Sequence, residues 1–96
     1  MQITIEFLGL TSLSKALGKS ILAELTDNSS VSDMIRWLVA RHGKKTSDSL
    51  LDSTGQVDDT IQVIVNDEGF LRRDLWPDRL LKNGDTVKLM LLVGGG

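Results

Sequence analysis

The residues with chemical potential in this chain are its last three, Gly94, Gly95 and Gly96, which follow the apolar run Leu89-Met90-Leu91-Leu92-Val93 without any polar spacer. Glycine lacks a Cβ, so such an arm can thread a channel too narrow for side chains and adopt backbone angles closed to other residues. A carboxylate at its end is a poor electrophile. Adenylation by a partner enzyme that spends ATP would activate it, after which sulfur or an amine could attack the acyl carbon. A glycine-rich end that merely frays is the competing reading, and the glycines alone do not separate the two.

No other group in the 96 residues competes for a chemical role. There is one histidine and no cysteine, which excludes a disulfide framework, a thiolate metal site, an iron-sulfur cluster and a thiol nucleophile carried by this chain. No glycine pattern of the phosphate-cradling kind precedes a helix, and no metal-ligand spacing occurs. Asp58-Asp59 and Asp67-Glu68 are acidic pairs in polar turns, where solvation is the expected state. The net charge of -2 comes from interspersed acids and bases, leaving no basic stripe for a phosphate backbone, so a direct nucleic-acid ligand is not expected. No segment approaches the roughly 20 apolar residues of a membrane span, and the N-terminal residues lack a secretory pattern, giving a cytoplasmic expectation.

An arm of this kind needs a rigid support. Hydrophobic content of 41% and charged content of 25% are ordinary for one globular domain, here residues 1–93, with 94–96 as a flexible tail. Ile3, Ile5 and Phe7 alternate with polar residues, and Ile21, Ala23 and Leu25 keep the same period with Leu22 on the opposite parity, predicting an antiparallel hairpin whose connection, Gly9 to Lys19, reads as a long polar loop. Ser30 and Asp33 have the spacing of a capping box. Val31, Met34, Ile35, Leu38 and Val39 then share one helical face, and Gly43 is placed to end the helix at positive φ. His42, in the last turn, reads as structural, and Trp37 as either a partner contact or a surface residue resting on its neighbours.

Residues 44–60 are too many for an empty loop and predict a short helical turn using Leu50 and Leu51. Ile61, Val63 and Val65 mark a third strand, followed by a turn at Asn66 to Gly69 and a possible short strand near Phe70 to Arg72. A helical turn is expected around Trp76 to Leu81. Asn83-Gly84 is a turn dipeptide before the last strand, with Val87, Leu89, Leu91 and Val93 expected on the core side. The plan is α+β, a mixed sheet packed on one main helix.

Ile5-Glu6-Phe7-Leu8-Gly9, Val65-Asn66, and Leu81-Lys82-Asn83-Gly84-Asp85-Thr86-Val87 running into terminal glycines resemble the ubiquitin-like sulfur carrier proteins of the β-grasp fold. That family includes the small subunit of molybdopterin synthase and the thiamine sulfur carrier. The opening Glu-Phe-Leu-Gly also resembles the ubiquitin-related modifier that carries sulfur for tRNA thiolation. The resemblance implies that Gly96 is adenylated by a ubiquitin-activating-type adenylyltransferase, converted to a thiocarboxylate and presented to a sulfur-accepting enzyme, such as the large subunit of molybdopterin synthase. Gly95 would complete the family's terminal pair, and Gly94 is a departure that lengthens the arm. The chain would then be a carrier rather than an enzyme, monomeric in isolation, with no bound cofactor and with ATP used by the activating partner.

A carrier must also be gripped. Leu22, Ile64, Met90 and Leu92 fall on the off-core parity of their strands and are the candidate partner-binding residues, forming an apolar patch beside the tail. Phe70, Leu75 and Trp76 could extend its rim, whereas residues 44–60 could instead cover the face. Two further functions remain open: a ubiquitin-like protein modifier, whose activated glycine passes to a lysine, and a β-grasp interaction module whose tail does nothing.

Overall fold

Each of the four alternating stretches is a strand in the computed structural model, which describes residues 1–92. They are β1 (Gln2–Leu8), β2 (Ser20–Glu24), β3 (Ile61–Val65) and β4 (Thr86–Leu91). The sheet order is β2-β1-β4-β3. Both outer pairs are antiparallel, and the central pair, β1 with β4, is parallel. A parallel pair requires a crossover, and the rest of the chain provides it. Val93, expected on the core side, and the arm Gly94, Gly95 and Gly96 lie outside the described residues.

The main helix, α2 (Val31–His42), begins at the capping box. The Ser30 hydroxyl accepts from the Asp33 amide at 3.1 Å, and the Asp33 carboxylate accepts from the Ser30 amide at 2.9 Å. The Ser30 amide, followed by the Arg36 guanidinium, holds the Asp33 carboxyl below its ordinary pKa. Val31, Met34, Ile35 and Leu38 are buried on the inner face, and each such side chain stabilises the fold by about 1.5–3 kcal/mol relative to exposure. The helix stops at Gly43, whose amide still reaches Val39 O at 3.0 Å. Its φ of 68° is positive as expected, but its ψ of −139° lies outside the left-handed helical region.

A second helix, α3 (Lys44–Leu50), follows directly and buries Leu50, in agreement with the helical turn expected there. The Gly9 to Lys19 connection differs from the expected loop: it contains a helix, α1 (Thr11–Leu17), with Leu13 fully buried. Leu10, Leu13 and Leu17 are spaced to face the sheet, but no side chain caps the helix start. Its Ser-rich, Gly-bounded composition therefore looks like a loop. The helical layer thus consists of α2 with two short helices, α1 and α3, packed beside one another on one side of the sheet. The later helical turn falls at Arg73–Leu75, just before the expected span. Phe70 makes a single bridge to Ile64 rather than a strand.

Candidate functional site

The site is where β4 leaves the sheet. Upstream, the strand is set firmly at the Asn83-Gly84 turn, where only Gly84 takes a positive φ, 90°. Asp85 Oδ2 accepts from the Lys82 amide at 2.8 Å. Asn66 ties the preceding turn to the strand, donating to Asp85 Oδ1 at 3.1 Å and accepting from the Thr86 amide at 3.0 Å. From there Val87 and Leu89 are buried and Leu91 is half-buried on the core side.

At the exit the chain is held from both flanks. On the β1 side, Gly9 has a φ of +72°, and a Cβ there would lie 3.3 Å from Leu91 O and 3.5 Å from Leu91 Cβ. The glycine therefore permits both the turn and the close approach. On the β3 side, Ile61 pairs with Leu91, and the Leu92 amide donates to Thr60 O at 2.8 Å, one residue beyond the ladder.

The outer face of the sheet is read from the register. Leu8 pairs with Met90 on one side and Gln62 pairs with Met90 on the other. Ile64, diagonal to Met90, bridges Phe70, and both direct and diagonal neighbours on a face lie within side-chain reach. Ile64 and Met90 are half-buried, while Leu92 is 49% exposed and Phe70 58% exposed. The geometry thus brings together three of the four expected patch residues, Ile64, Met90 and Leu92, and adds Leu8 at 41% exposure and Phe70.

Leu22 does point outward, at 65% exposure, but its row is Leu22, Thr4, Thr86. The row Ser20, Glu6, Lys88 intervenes before Met90. Two strand spacings and two rows separate Leu22 from Met90, roughly 10 Å across and roughly 13 Å along the sheet. Leu22 is therefore apart from the patch at the tail. Trp76 also differs from its possible place on the rim: it is buried, and its Nε1 donates to Leu71 O at 3.1 Å. The first part of the segment 44–60, α3, packs on α1 and α2 rather than on the outer face.

A shallow groove beside the tail root, on the helical side, is lined by Gly9, Thr11, Lys15, Lys45, Asp48 and Leu91. Among the described residues no cluster of three or more His, Cys, Asp or Glu side chains is placed to hold a metal ion. His42 is half-buried, with its ring edge-on to Trp37 at 6.0 Å, and Arg41 lies 5.8 Å from the Trp37 ring. Trp37 therefore rests on its own helix. Among the described residues no helix is long and apolar enough to cross a membrane.

Sequence reasoning missed Leu8 and Thr60. Even-odd parity already placed Leu8 off the core, but its partner Met90 is reached only through the parallel pairing of the first and last strands. Asp58 is also not simply solvated: its Oδ1 accepts from both the hydroxyl and the amide of Thr60, at 2.6 and 2.9 Å. These contacts, the hydroxyl first, hold its carboxyl below its ordinary pKa.

No curated protein sequence matches the chain. Solved structures do. SAMP1 from Haloferax volcanii is 20% identical, with a TM-score of 0.75 and full coverage of both chains. Urm1 from Trypanosoma brucei is 24% identical, with a TM-score of 0.67, covering 99% of this chain and 95% of that one. A chain of the BexX/CysO complex from Amycolatopsis orientalis is 24% identical, with a TM-score of 0.66, covering 98% and 99%. These likenesses establish the β-grasp, ubiquitin-like α+β fold. The ThiS family matches residues 10–96, from just after β1 through the final glycine. The chain is therefore a member of the ThiS family, with the fold of the small ubiquitin-like sulfur carriers and modifiers.

Proposed function

We propose that this protein is a sulfur carrier that works through the carboxylate of Gly96. A partner adenylyltransferase joins that carboxylate to the α-phosphate of ATP, releasing pyrophosphate. A sulfur nucleophile supplied by a partner then displaces AMP: sulfide leaves a thiocarboxylate directly, whereas a partner's persulfide leaves an acyl disulfide, which a second partner thiol cleaves to the thiocarboxylate while the two partner sulfurs pair as a disulfide. A sulfur-accepting enzyme takes the sulfur, and hydrolysis of the acyl carbon restores the carboxylate. Molybdopterin biosynthesis, with the large synthase subunit as acceptor, is the pathway we assign. The same cycle serves tRNA thiolation if the acceptor differs.

One observation carries this reading. The last strand of a ThiS-family domain is paired on the β1 side as far as Met90 and held on the β3 side as far as Leu92, beside an outward apolar face, and Gly94, Gly95 and Gly96 follow closely in the sequence. The domain supplies position and a gripping surface, and the partners supply catalysis. Gly94 and Gly95 serve as side-chain-free tether, while Leu8, Ile64, Met90, Leu92 and Phe70 form the docking face. Likeness to a chain from a two-protein complex supports action through partners.

Transfer of the activated glycine to a lysine is the second reading, supported by likeness to a structure named small archaeal modifier protein 1. Tandem mass spectrometry of the protein recovered from its native cell distinguishes the two. A sulfur in place of one terminal oxygen supports carriage, and an isopeptide-linked adduct supports modification. An unaltered terminus, with full function after deletion of Gly95 and Gly96, would refute both. Loss of molybdenum-enzyme activity on removal of the gene tests the pathway.

A further inference from the structure

We infer that the Asp58–Thr60 turn, braced by Arg73, is a positioning device that fixes the direction in which the tail leaves the sheet. The inference rests on the proposed activation of Gly96. The Leu92 amide is held by Thr60 O at 2.8 Å, so the tail is aimed by a residue outside any strand. Thr60 is exposed and contributes nothing to the core. Its place is nevertheless set by several bonds.

Asp58 Oδ1 takes the Thr60 hydroxyl at 2.6 Å and the Thr60 amide at 2.9 Å, and Asp58 O takes the Ile61 amide at 3.0 Å. The Asp58 amide in turn donates to Leu50 O at 2.8 Å, tying the turn to the end of α3. The Arg73 guanidinium then spans the turn from outside, donating to the carbonyls of Val57, Asp58 (2.7 Å) and Ile61 (2.9 Å). It lies 4.5 Å from the ring centroid of buried Trp76, which fixes the cation against the core. A delocalised, always-charged fork is suited to serving several carbonyls at once.

The β3–β4 ladder from Ile61 to Val65 is complete without this turn. What the turn adds is a single bond at the tail root. Four residues follow Leu92, a reach of at most roughly 13 Å, so the point at which Leu92 is held limits where the acyl end can be delivered. A misplacement of about 1 Å at a reacting centre can cost up to about a hundredfold in rate. Asp58, Thr60 and Arg73 are thus positioning residues, acting through Leu92.

The test compares the wild type with Asp58→Ala, which removes the acceptor, Asp58→Asn, which keeps an oxygen at the same place, and Thr60→Val, which removes only the hydroxyl. Two readouts are taken: amide hydrogen exchange by NMR, and ATP–pyrophosphate exchange with the partner adenylyltransferase. The amides of Val87 and Leu89 report folding. We expect Asp58→Ala to speed exchange at Leu92 about tenfold with the core amides unchanged. It should lower kcat about tenfold with little change in KM, since Leu8, Ile64, Met90 and Phe70 of the docking face are untouched, and Asp58→Asn should restore both; Thr60→Val should fall between. Wild-type kcat and Leu92 protection in Asp58→Ala would overturn the inference alone, as would a rise in KM at unchanged kcat. A wild-type protein that supports no pyrophosphate exchange would instead overturn the activation reading, and this inference with it.

Discussion

The two faces of the sheet are built from the same strands and obey different rules. On the helical face Ile3, Ile5, Phe7, Ala23, Val63, Val65, Val87 and Leu89 are all buried, packed under α1, α2 and α3. On the outer face the rows of Thr4 with Thr86 and of Glu6 with Lys88 lie side by side, and the apolar row of Leu8 with Met90 follows them toward the tail end. The first face makes the fold cohere. The second leaves apolar surface exposed beside the exit of β4, on the side where the proposed activating partner would approach. Apolar residues one position apart on β4 therefore meet separate surroundings: Leu89 is buried in the core, and Met90 lies half-buried on the outer face, where we propose that it serves recognition.

Substitutions on the inner face should cost the most stability. Leu89→Ala should cost about 2–5 kcal/mol of stability in chemical denaturation, whereas Leu22→Ala on the outer face should change it by less than about 0.5 kcal/mol. Next is the outer face itself. Met90→Glu should leave the unfolding midpoint near that of the wild type while weakening partner binding by about 2 kcal/mol, roughly thirtyfold in Kd; titration calorimetry would measure it.

A smaller effect sharpens the inner face. Thr46 is fully buried, and its hydroxyl has no hydrogen-bond partner among the described residues. An unsatisfied buried hydroxyl is costly, so Thr46→Val, which preserves the shape, should raise stability by about 1 kcal/mol. The least effect comes from pH. Asp33, Asp52 and Asp58 are all held below their ordinary pKa, in Asp52 chiefly by the Thr54 hydroxyl and then the Thr54 amide. A lowered folded-state value means that their stabilisation is present above the unfolded value of about 3.9 and is lost as pH falls through the lower folded values. Thermal midpoints should therefore be nearly flat from pH 7 to about pH 5 and fall below about pH 4, less steeply in Asp58→Asn.

Local signals made much of the scaffold legible. Period-two alternation located all four strands, the Ser30 and Asp33 pair located the start of α2, and Asn83-Gly84 located the turn into β4. What stayed hidden was long-range or lacked a local signature. Leu10, Leu13 and Leu17 carry the helical spacing of α1, but seven residues without a cap leave little for a sequence to declare. The parallel pairing of β1 with β4 joins residues from opposite ends of the chain, and it alone puts Leu8 beside Met90 and leaves Leu22 at a distance. Trp76 reads as available for the rim because its partner, Leu71 O, is a backbone group with no sequence signature. Thr60 is invisible for the same reason, since its function at the tail root is that of a carbonyl.

The central claim is that cargo is loaded on the acyl carbon of Gly96, with the rest of the domain aiming and presenting it. The most direct test is the intact mass of two proteins recovered from the native cell, the wild type and a chain extended by one phenylalanine beyond Gly96. Sulfur for oxygen at the terminus of the first and none on the second is the expected result. An extended chain that acquires the sulfur as readily as the wild type would contradict the account.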